Sequence, residues 1–177
     1  MPNSAAIDRP PMKNARRSAP GSLPYADLRL RCPRCAIDLT ATQCRRCAFR
    51  LDADNGILRA LPPERIAHYA RFMVDYERIR AAEGRGSESA EFYLQLPYRD
   101  LSGKNAAQWR IRARSWDHLL RHVLRPNLPP AARILDLGAG NGWLSFRLAQ
   151  AGYAPVAVDL LTNEHDGLGA AQHYRRV

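Results

Sequence analysis

The stretch from Arg133 to Asp159 constrains the fold more than any other part of the chain. Its sequence is RILDLGAGNGWLSFRLAQAGYAPVAVD. The apolar run Ile134–Leu137 is typical of a strand buried in a parallel sheet, and Val156–Val158 forms a second such run. Between them, Trp143–Ala151 carries apolar residues at helical spacing, and the glycine that follows is a common helix stop. The pattern therefore predicts a strand, a helix and a second strand.

A glycine-rich loop joins the first predicted strand to the helix. Gly138, Gly140 and Gly142 stand at alternate positions, where they allow a sharp turn and a close approach of ligand to backbone. Asp159 ends the second strand, and an acid there can accept hydrogen bonds from both hydroxyls of a ribose. The dinucleotide fingerprint G-x-G-x-x-G would need a third glycine where Trp143 stands. The loop thus favours a nucleotide-type ligand other than a dinucleotide, and a plain α/β turn is the alternative.

An acid two residues before the first glycine extends the pattern to D-x-G-x-G-x-G. This pattern resembles the first motif of class I S-adenosylmethionine (SAM) dependent methyltransferases, of the type 11 kind. The resemblance implies a Rossmann-like sheet, SAM as cofactor, and transfer of its methyl group to an acceptor. It places the amino-acid end of SAM on the glycine loop and the ribose on the second acid. The residues that it assigns to the cofactor are Asp136, Gly138, Ala139, Gly140, Gly142, Asp159 and Leu160. The catalytic residues stay unknown, and the acceptor is a small molecule, RNA or a protein.

All four cysteines of the chain lie in two C-x-x-C pairs, and eight residues separate the pairs. Each pair places two thiolates on one tight knuckle, and two facing knuckles offer four sulfurs to a tetrahedral zinc ion. Disulfides are the weaker alternative, because cytosolic thiols stay reduced. The spacing predicts a structural zinc ribbon whose ligands are Cys32, Cys35, Cys44 and Cys47. The arginines beside them offset the charge of the thiolates or face an RNA or protein substrate.

A hairpin is expected just after the cysteines, because Asp54-Asn55-Gly56 supplies residues that tolerate positive φ. The run from Cys32 to Ile57 resembles the small zinc ribbon that precedes some methyltransferase domains. One such family is the bacterial ribosomal-RNA guanine methyltransferase with an N-terminal zinc module. The two resemblances together imply a zinc ribbon placed ahead of a methyltransferase domain.

Two helices are predicted between the ribbon and the first strand. The first begins at Pro62-Pro63-Glu64 and ends near Gly84, and the second spans Asn105–Leu124. Their aromatic and aliphatic stripes indicate core packing, with Val123 among the buried residues of the second helix. In class I methyltransferases such helices often cover SAM and shape the acceptor pocket. By that analogy the lid residues come from Tyr69, Tyr76, Arg80, Tyr98, Trp109 and Arg112. After the second strand, His165 and Asp166 either contact ligand or belong to a capped turn, and the turn is favoured.

The predicted domains are a disordered tail over 1–24, the zinc ribbon over 25–61, a helical linker or lid over 62–127, and the start of the SAM-binding domain over 128–177.

The net charge is +10, and residues 1–50 hold ten Lys or Arg against three Asp or Glu. This charge indicates a solvated basic tail, with an RNA-binding patch as the alternative. No apolar run approaches the roughly 20 residues that span a bilayer, and no signal-type segment is evident, so we expect a cytoplasmic protein without a membrane partner.

The fold class expected overall is α/β, with a zinc ribbon, a helical linker and the first β-α-β of an incomplete methyltransferase sheet. Such a chain is truncated after the second strand, or a second polypeptide supplies the remaining strands. Ile134–Leu137 would then expose its edges and apolar side chains. We expect residues 1–177 alone to bind SAM weakly or not at all and to transfer no methyl groups. The alternative function is a non-catalytic zinc-containing binding module with a degenerate nucleotide-binding fold.

Overall fold

The computed structural model of the protein describes residues 28–175. The predicted disordered tail, residues 1–24, lies outside this range. The chain divides into two compact units, one that ends at Asp52 and one that spans Ala53–Val177. The fold is mixed α and β, with small sheets in the described part. Among residues 28–175, no helix is long and apolar enough to cross a membrane.

The first unit is built from two similar cysteine knuckles. An isolated antiparallel bridge flanks each knuckle, Arg31 with Asp38 and Gln43 with Arg50. After each second cysteine an alanine takes a φ of 56° and donates its N–H to the carbonyl of the first cysteine, at 2.8 Å in one knuckle and 2.9 Å in the other. Because the same bonds recur twelve residues later, the two knuckles share one backbone geometry. Leu39, Phe49 and Leu51 form the apolar interior beside them.

The predicted hairpin is confirmed. Strands β1 (Asp52–Asp54) and β2 (Ile57–Arg59) pair with each other. Asn55 and Gly56 make the two-residue turn, with φ values of 50° and 78°. Positive φ at both central positions is what a tight hairpin turn of this kind requires, and asparagine and glycine reach it at low cost.

Helix α1 (Pro63–Ala82) confirms the first predicted helix, with proline in its first turn. The expectation that its stripe is core is wrong, because no residue of α1 is buried. Ile79 is 55% exposed, and Ile66 is 46% exposed. Only a narrow stripe, which includes Tyr69 and Met73, is half-buried. Helical periodicity identified the helix, but it does not specify whether another element covers the apolar side.

Helix α2 (Ala90–Gln95) buries Phe92 and Tyr93, and a cis peptide bond joins Leu96 to Pro97 just after it. Helix α3 (Ala106–His118) buries Trp109 and Trp116, which confirms its tryptophans as core. Phe92, Tyr93, Leu96, Trp109 and Ala170 form one buried cluster. A helix of six residues is too short to be stable by itself, so the buried aromatic side chains of α2 hold it in place.

The second predicted helix continues from α3 as a π-helical segment, Leu119–Leu124, and ends in the short α4 (Arg125–Asn127). Sequence periodicity had placed Val123 in the core, and this prediction is wrong: Val123 is 45% exposed and Leu124 is buried. A π-helical turn contains about one residue more than an α-helical turn, so the buried position moves one residue along the chain.

Strands β3 (Arg133–Leu137) and β4 (Ala154–Val158) are parallel, and α5 (Trp143–Gln150) connects them. The predicted β-α-β order is confirmed. Ile134 faces a second cluster that includes Trp116, Leu124 and Leu148. The opposite face is open in the described chain: Leu135 is 63% exposed and Leu137 77%. The burial that the apolar run predicted is thus limited to the face of Ile134. On the opposite face, the exposure expected for an incomplete sheet is confirmed for Leu135 and Leu137.

Candidate functional site

The glycine loop connects the end of β3 to the start of α5. Gly138, Gly140 and Gly142 have φ values of 76°, 54° and 79°, a region that residues with a Cβ rarely adopt. The N–H groups of Gly138 and Ala139 both point to the Val158 carbonyl, at 2.8 and 3.1 Å. The loop is therefore held against the carboxyl end of β4, and its glycines are required by the backbone conformation itself.

Asp159 lies directly beside this loop. One carboxylate oxygen accepts the Gly140 N–H at 2.7 Å, and the other accepts the Leu161 N–H at 2.8 Å. The structure thus brings the second acid and the glycine loop together, as the sequence pattern predicted. Each oxygen accepts one backbone N–H, and because a carboxylate can accept about four hydrogen bonds, Asp159 keeps acceptor capacity for further donors.

Asp136 is buried within β3. Its Oδ2 accepts a hydrogen bond from Ser145 Oγ at 2.7 Å, which ties the strand to the first turn of α5. Ala139 is buried in the loop, and Leu160 is half-buried after Asp159. Sequence reasoning did not single out Asn141, which is also buried and accepts the Trp143 N–H at 3.2 Å. The hydrogen bonds of Asp136 and Asn141 help to fix the conformation of the loop and of the first turn of α5.

The segment after β4 folds back over the glycine loop. A Cβ at Gly140 would lie 3.5 Å from the Asp166 carbonyl oxygen, and one at Gly142 would lie 3.6 Å from Cε2 of Tyr174. Asn163 Oδ1 accepts the N–H groups of His165, Asp166 and Gly167 at 2.8–3.1 Å. The capped-turn prediction for this segment is confirmed, and a 3₁₀ helix, Leu168–Tyr174, follows.

Tyr174 packs beside the loop with its hydroxyl buried. The ring stacks on Phe146 with centroids 4.5 Å apart. Within residues 28–175 the Tyr174 hydroxyl has no hydrogen-bond partner, and burial raises its pKa. A buried hydroxyl without a partner is uncommon, because it loses its bonds to water and gains none. A polar ligand atom at this place would satisfy it.

The predicted lid residues have different positions. Trp109 is a core residue, and Tyr98 donates its hydroxyl to Asp117 at 2.7 Å on the exposed side of the chain. Tyr69 pairs with Arg65 along exposed α1. The remaining three, Tyr76, Arg80 and Arg112, all interact electrostatically with one another or with Asp166. The structure therefore places these three near the segment that covers the loop, and Trp109 packs in one cluster with Ala170 of that segment.

Arg80 and Asp166 form a bidentate ion pair across 86 positions of sequence. Arg80 Nε donates to Asp166 Oδ2, and Nη2 donates to Oδ1 at 3.1 Å. The side chains are 21% and 10% exposed, so the pair is shielded from solvent. Planar two-bond pairing of this kind fixes geometry as well as charge. It fastens the end of α1 to the turn above the glycine loop, and no sequence pattern indicated the pairing.

The four cysteines converge at one point in the first unit. Their Sγ atoms all lie within 4.8 Å of one another. The closest Sγ pairs are Cys32–Cys47 and Cys35–Cys44, each at 3.5 Å, and Cys35–Cys47 is at 3.8 Å. Four sulfurs in a tetrahedron around zinc, each about 2.3 Å from the metal, are roughly 3.8 Å apart. The cluster therefore fits a single tetrahedral metal ion.

The knuckle backbone also favours thiolates at the first cysteine of each pair. N–H bonds from Cys47 and Arg46 lower the pKa of the Cys44 thiol to about 6, against the effect of burial. Burial and bonds from neighbouring thiols raise the pKa of Cys35 to about 12. A thiol held by backbone donors is already suited to act as a metal ligand, and a bound cation would deprotonate the others.

Comparison with known proteins identifies no relative: no family model, no curated protein and no solved structure matches this chain.

Proposed function

We propose that this protein is a SAM-dependent methyltransferase of class I whose Rossmann-like sheet includes β3 and β4, preceded by a structural zinc ribbon. The observation that carries the proposal is the juxtaposition of three positive-φ glycines with Asp159 at the carboxyl ends of two parallel strands. Ligands of open α/β sheets bind at this edge, and an acid after the second strand suits a ribose. The pattern D-x-G-x-G-x-G supplies the resemblance to the family.

The chemistry of the site supports an adenosyl ligand in two further ways. Apart from its chain neighbours, nothing within the described residues lies within 4 Å of the place where a Cβ would stand at Gly138, so a ligand can approach the backbone closely there. The orphaned hydroxyl of Tyr174 supplies a polar group beside the loop. SAM would provide the electrophilic methyl group. The residues of this chain would bind and orient it, since methyl transfer depends mainly on alignment of nucleophile and methyl.

In this proposal the turn around Asp166 limits cofactor affinity. Its carbonyl oxygen lies 3.5 Å from the position of a Gly140 Cβ, so SAM would have to displace this turn in order to reach the glycine loop there. Asp159 would keep its bonds to the backbone and accept the ribose hydroxyls with its remaining lone pairs. We therefore expect SAM to bind the chain with low affinity.

Saturation-transfer NMR with SAM, which detects low-affinity binding, tests the proposal. The wild-type chain should transfer saturation to the adenosyl protons. Asp159→Ala should weaken binding roughly tenfold or more, because a charge-assisted hydrogen bond contributes about 1.5–3 kcal/mol. Gly140→Val should act likewise, since valine disfavours a φ of 54°. Asp75→Asn is the control: Asp75 lies on α1, half of its side chain is exposed, and its removal should leave the signal unchanged.

If saturation is not transferred to SAM by the wild-type chain, or if the wild type and its three variants give equal signals, the glycine loop is not a cofactor site.

A non-catalytic zinc-containing binding module is the second candidate. The covering of the loop favours it, because the turn around Asp166 lies against Gly140 and Asp159 is bonded to the loop backbone without a ligand. The two candidates differ in SAM binding and turnover. Methyl transfer from labelled SAM to RNA, protein or small-molecule acceptors, or SAM binding that Asp159→Ala weakens, supports the methyltransferase, and the absence of both supports the binding module.

For the cysteine cluster we propose a structural zinc ion with four thiolate ligands. A closed set of four sulfurs leaves no open coordination position, so the metal would stabilise the knuckles rather than take part in catalysis. The first unit is small, and metal binding then supplies much of its folding free energy.

A further inference from the structure

Four basic side chains converge on the turn that follows α1. Arg80 lies in the last turn of α1, and Arg85 lies in the turn that follows. Lys104 precedes α3, and Arg112 belongs to α3. We refer to these four residues as the basic cluster. A Cβ at Gly84 would lie 3.2 Å from Lys104 Nζ, so the lysine lies directly over the turn. Burial and the nearby charges of Arg85 and Arg80 lower the pKa of Arg112. The four side chains therefore share one region of the second unit.

Two carboxylates face this cluster, and both are already engaged. Asp166 takes both of its bonds from Arg80. Glu83 accepts from Arg85 Nε at 3.0 Å and lies 3.7 Å from Arg80 Nη1. Within the described residues, Lys104 and Arg112 form no ion pair with a carboxylate. Four cations against two carboxylates leave an excess of positive charge, and Arg112 is held over the face of Trp109 rather than in water.

Arg85 is the unusual member of the cluster. Its side chain is only 5% exposed. Nε donates to Glu83 and Nη2 donates to Gln108, but Nη1 is buried and has no hydrogen-bond partner among residues 28–175. A buried cationic donor without an acceptor is costly, because the water that it lost is not replaced. An acceptor from a ligand would remove that cost.

The basic cluster is adjacent to the glycine loop through Asp166. The Asp166 carboxylate holds Arg80, and its carbonyl oxygen lies against the position of a Gly140 side chain. Trp109, which supports Arg112, also packs edge-on against Trp143 at the start of α5, with centroids 5.9 Å apart. Asp166 therefore links the basic cluster to the glycine loop, and Trp109 links it to the start of α5.

We propose that the basic cluster binds an oxyanion, a carboxylate or phosphate group, of a small-molecule ligand through Arg85, Arg112 and Lys104. Resting on the proposed function, that ligand is the methyl acceptor. Arginine forks match both oxyanions, which is the chemistry that the two share. A polynucleotide would need an exposed basic stripe that follows successive phosphates, whereas Arg85 is buried and Arg112 is half-buried.

Isothermal titration calorimetry on the full chain with its metal tests the proposal, at constant ionic strength set with sodium chloride. The probes are inorganic phosphate and, separately, acetate, so that the two arms identify the preferred oxyanion. Wild-type protein should bind one of them at a single site. Arg112→Gln should weaken binding roughly tenfold or more, as expected for loss of a charged hydrogen-bond donor. Arg114→Gln is the matched control, because it removes one exposed arginine from the same helix and should change affinity less than about twofold.

Lys104→Gln is a second test variant that should not impair folding, because Lys104 is exposed and its replacement leaves the core intact. It should also weaken binding of the preferred oxyanion. No binding of either probe, an equal loss in Arg114→Gln, or binding restricted to a short RNA oligonucleotide would overturn the proposal. SAM binding measured on the same samples separates the two hypotheses. Lys104→Gln should retain wild-type SAM binding. Oxyanion binding without any SAM binding would leave the site standing and contradict the methyltransferase proposal.

Discussion

Leu148→Ala compared with Leu137→Ala tests which face of the β3–β4 sheet is the core. Leu148 is 2% exposed and packs in the cluster that holds Trp116 and Leu124. Leu137 is 77% exposed on the opposite face. Both substitutions delete the same atoms, so a difference in stability of several kcal/mol reports on burial, because the different propensity of alanine in a helix and in a strand contributes only about 1 kcal/mol or less.

The expected magnitudes follow from these exposures. Full burial of a leucine contributes about 1.5–3 kcal/mol by transfer from water, and the cavity left by its removal adds to the loss. Leu148→Ala should therefore lower the free energy of unfolding by about 3–4 kcal/mol. Leu137 has given up only about a quarter of its surface, so Leu137→Ala should cost about 0.5 kcal/mol.

Urea denaturation followed by tryptophan fluorescence is the appropriate assay. The three tryptophans of the chain, at positions 109, 116 and 143, all lie in the second unit and pack in or against its clusters. The signal thus reports unfolding of that unit and not of the cysteine knuckles. Equal losses in the two variants, or a larger loss for Leu137→Ala, would refute the assignment of the core to the α3 and α5 side.

Two further variants test the metal and the ion pair. Cys44→Ser should lower bound zinc well below one ion per chain, because three thiolates no longer close the site, whereas Arg45→Ser should keep one ion. Metal analysis after purification under reducing conditions without chelator measures both variants, and zinc-free wild type would contradict the ribbon. Asp166→Asn should destabilise the second unit by about 2–3 kcal/mol, because Arg80 keeps its charge in a shielded place without a carboxylate. Asp75→Asn removes an exposed pair and should cost less than about 1 kcal/mol, so equal losses in urea denaturation would show that the Arg80 pair is not structural.

The local features of this protein were determined by the sequence alone. Alternate glycines after an apolar run predicted a sharp loop, and Gly138, Gly140 and Gly142 make that loop with positive φ values. The C-x-x-C spacing predicted two knuckles, and Asn55-Gly56 predicted a hairpin turn. These features depend on the dihedral angles of a few neighbouring residues, which the residue types restrict directly. The bounds of α1 followed from its proline start and its period for the same reason.

Tertiary packing decided which apolar residues became core and which charged residues met. Ile79 and Leu148 both occupy positions with helical periodicity, yet Ile79 is exposed and Leu148 is buried, because burial depends on whether a distant element covers that side of the helix. The π-helical segment moved the buried position from Val123 to Leu124. The Arg80–Asp166 pair joins residues 86 positions apart, and the unpaired Nη1 of Arg85 exists only once the turn is enclosed. Such contacts have no local signal, because the free energy that selects them comes from packing between elements that are remote in sequence.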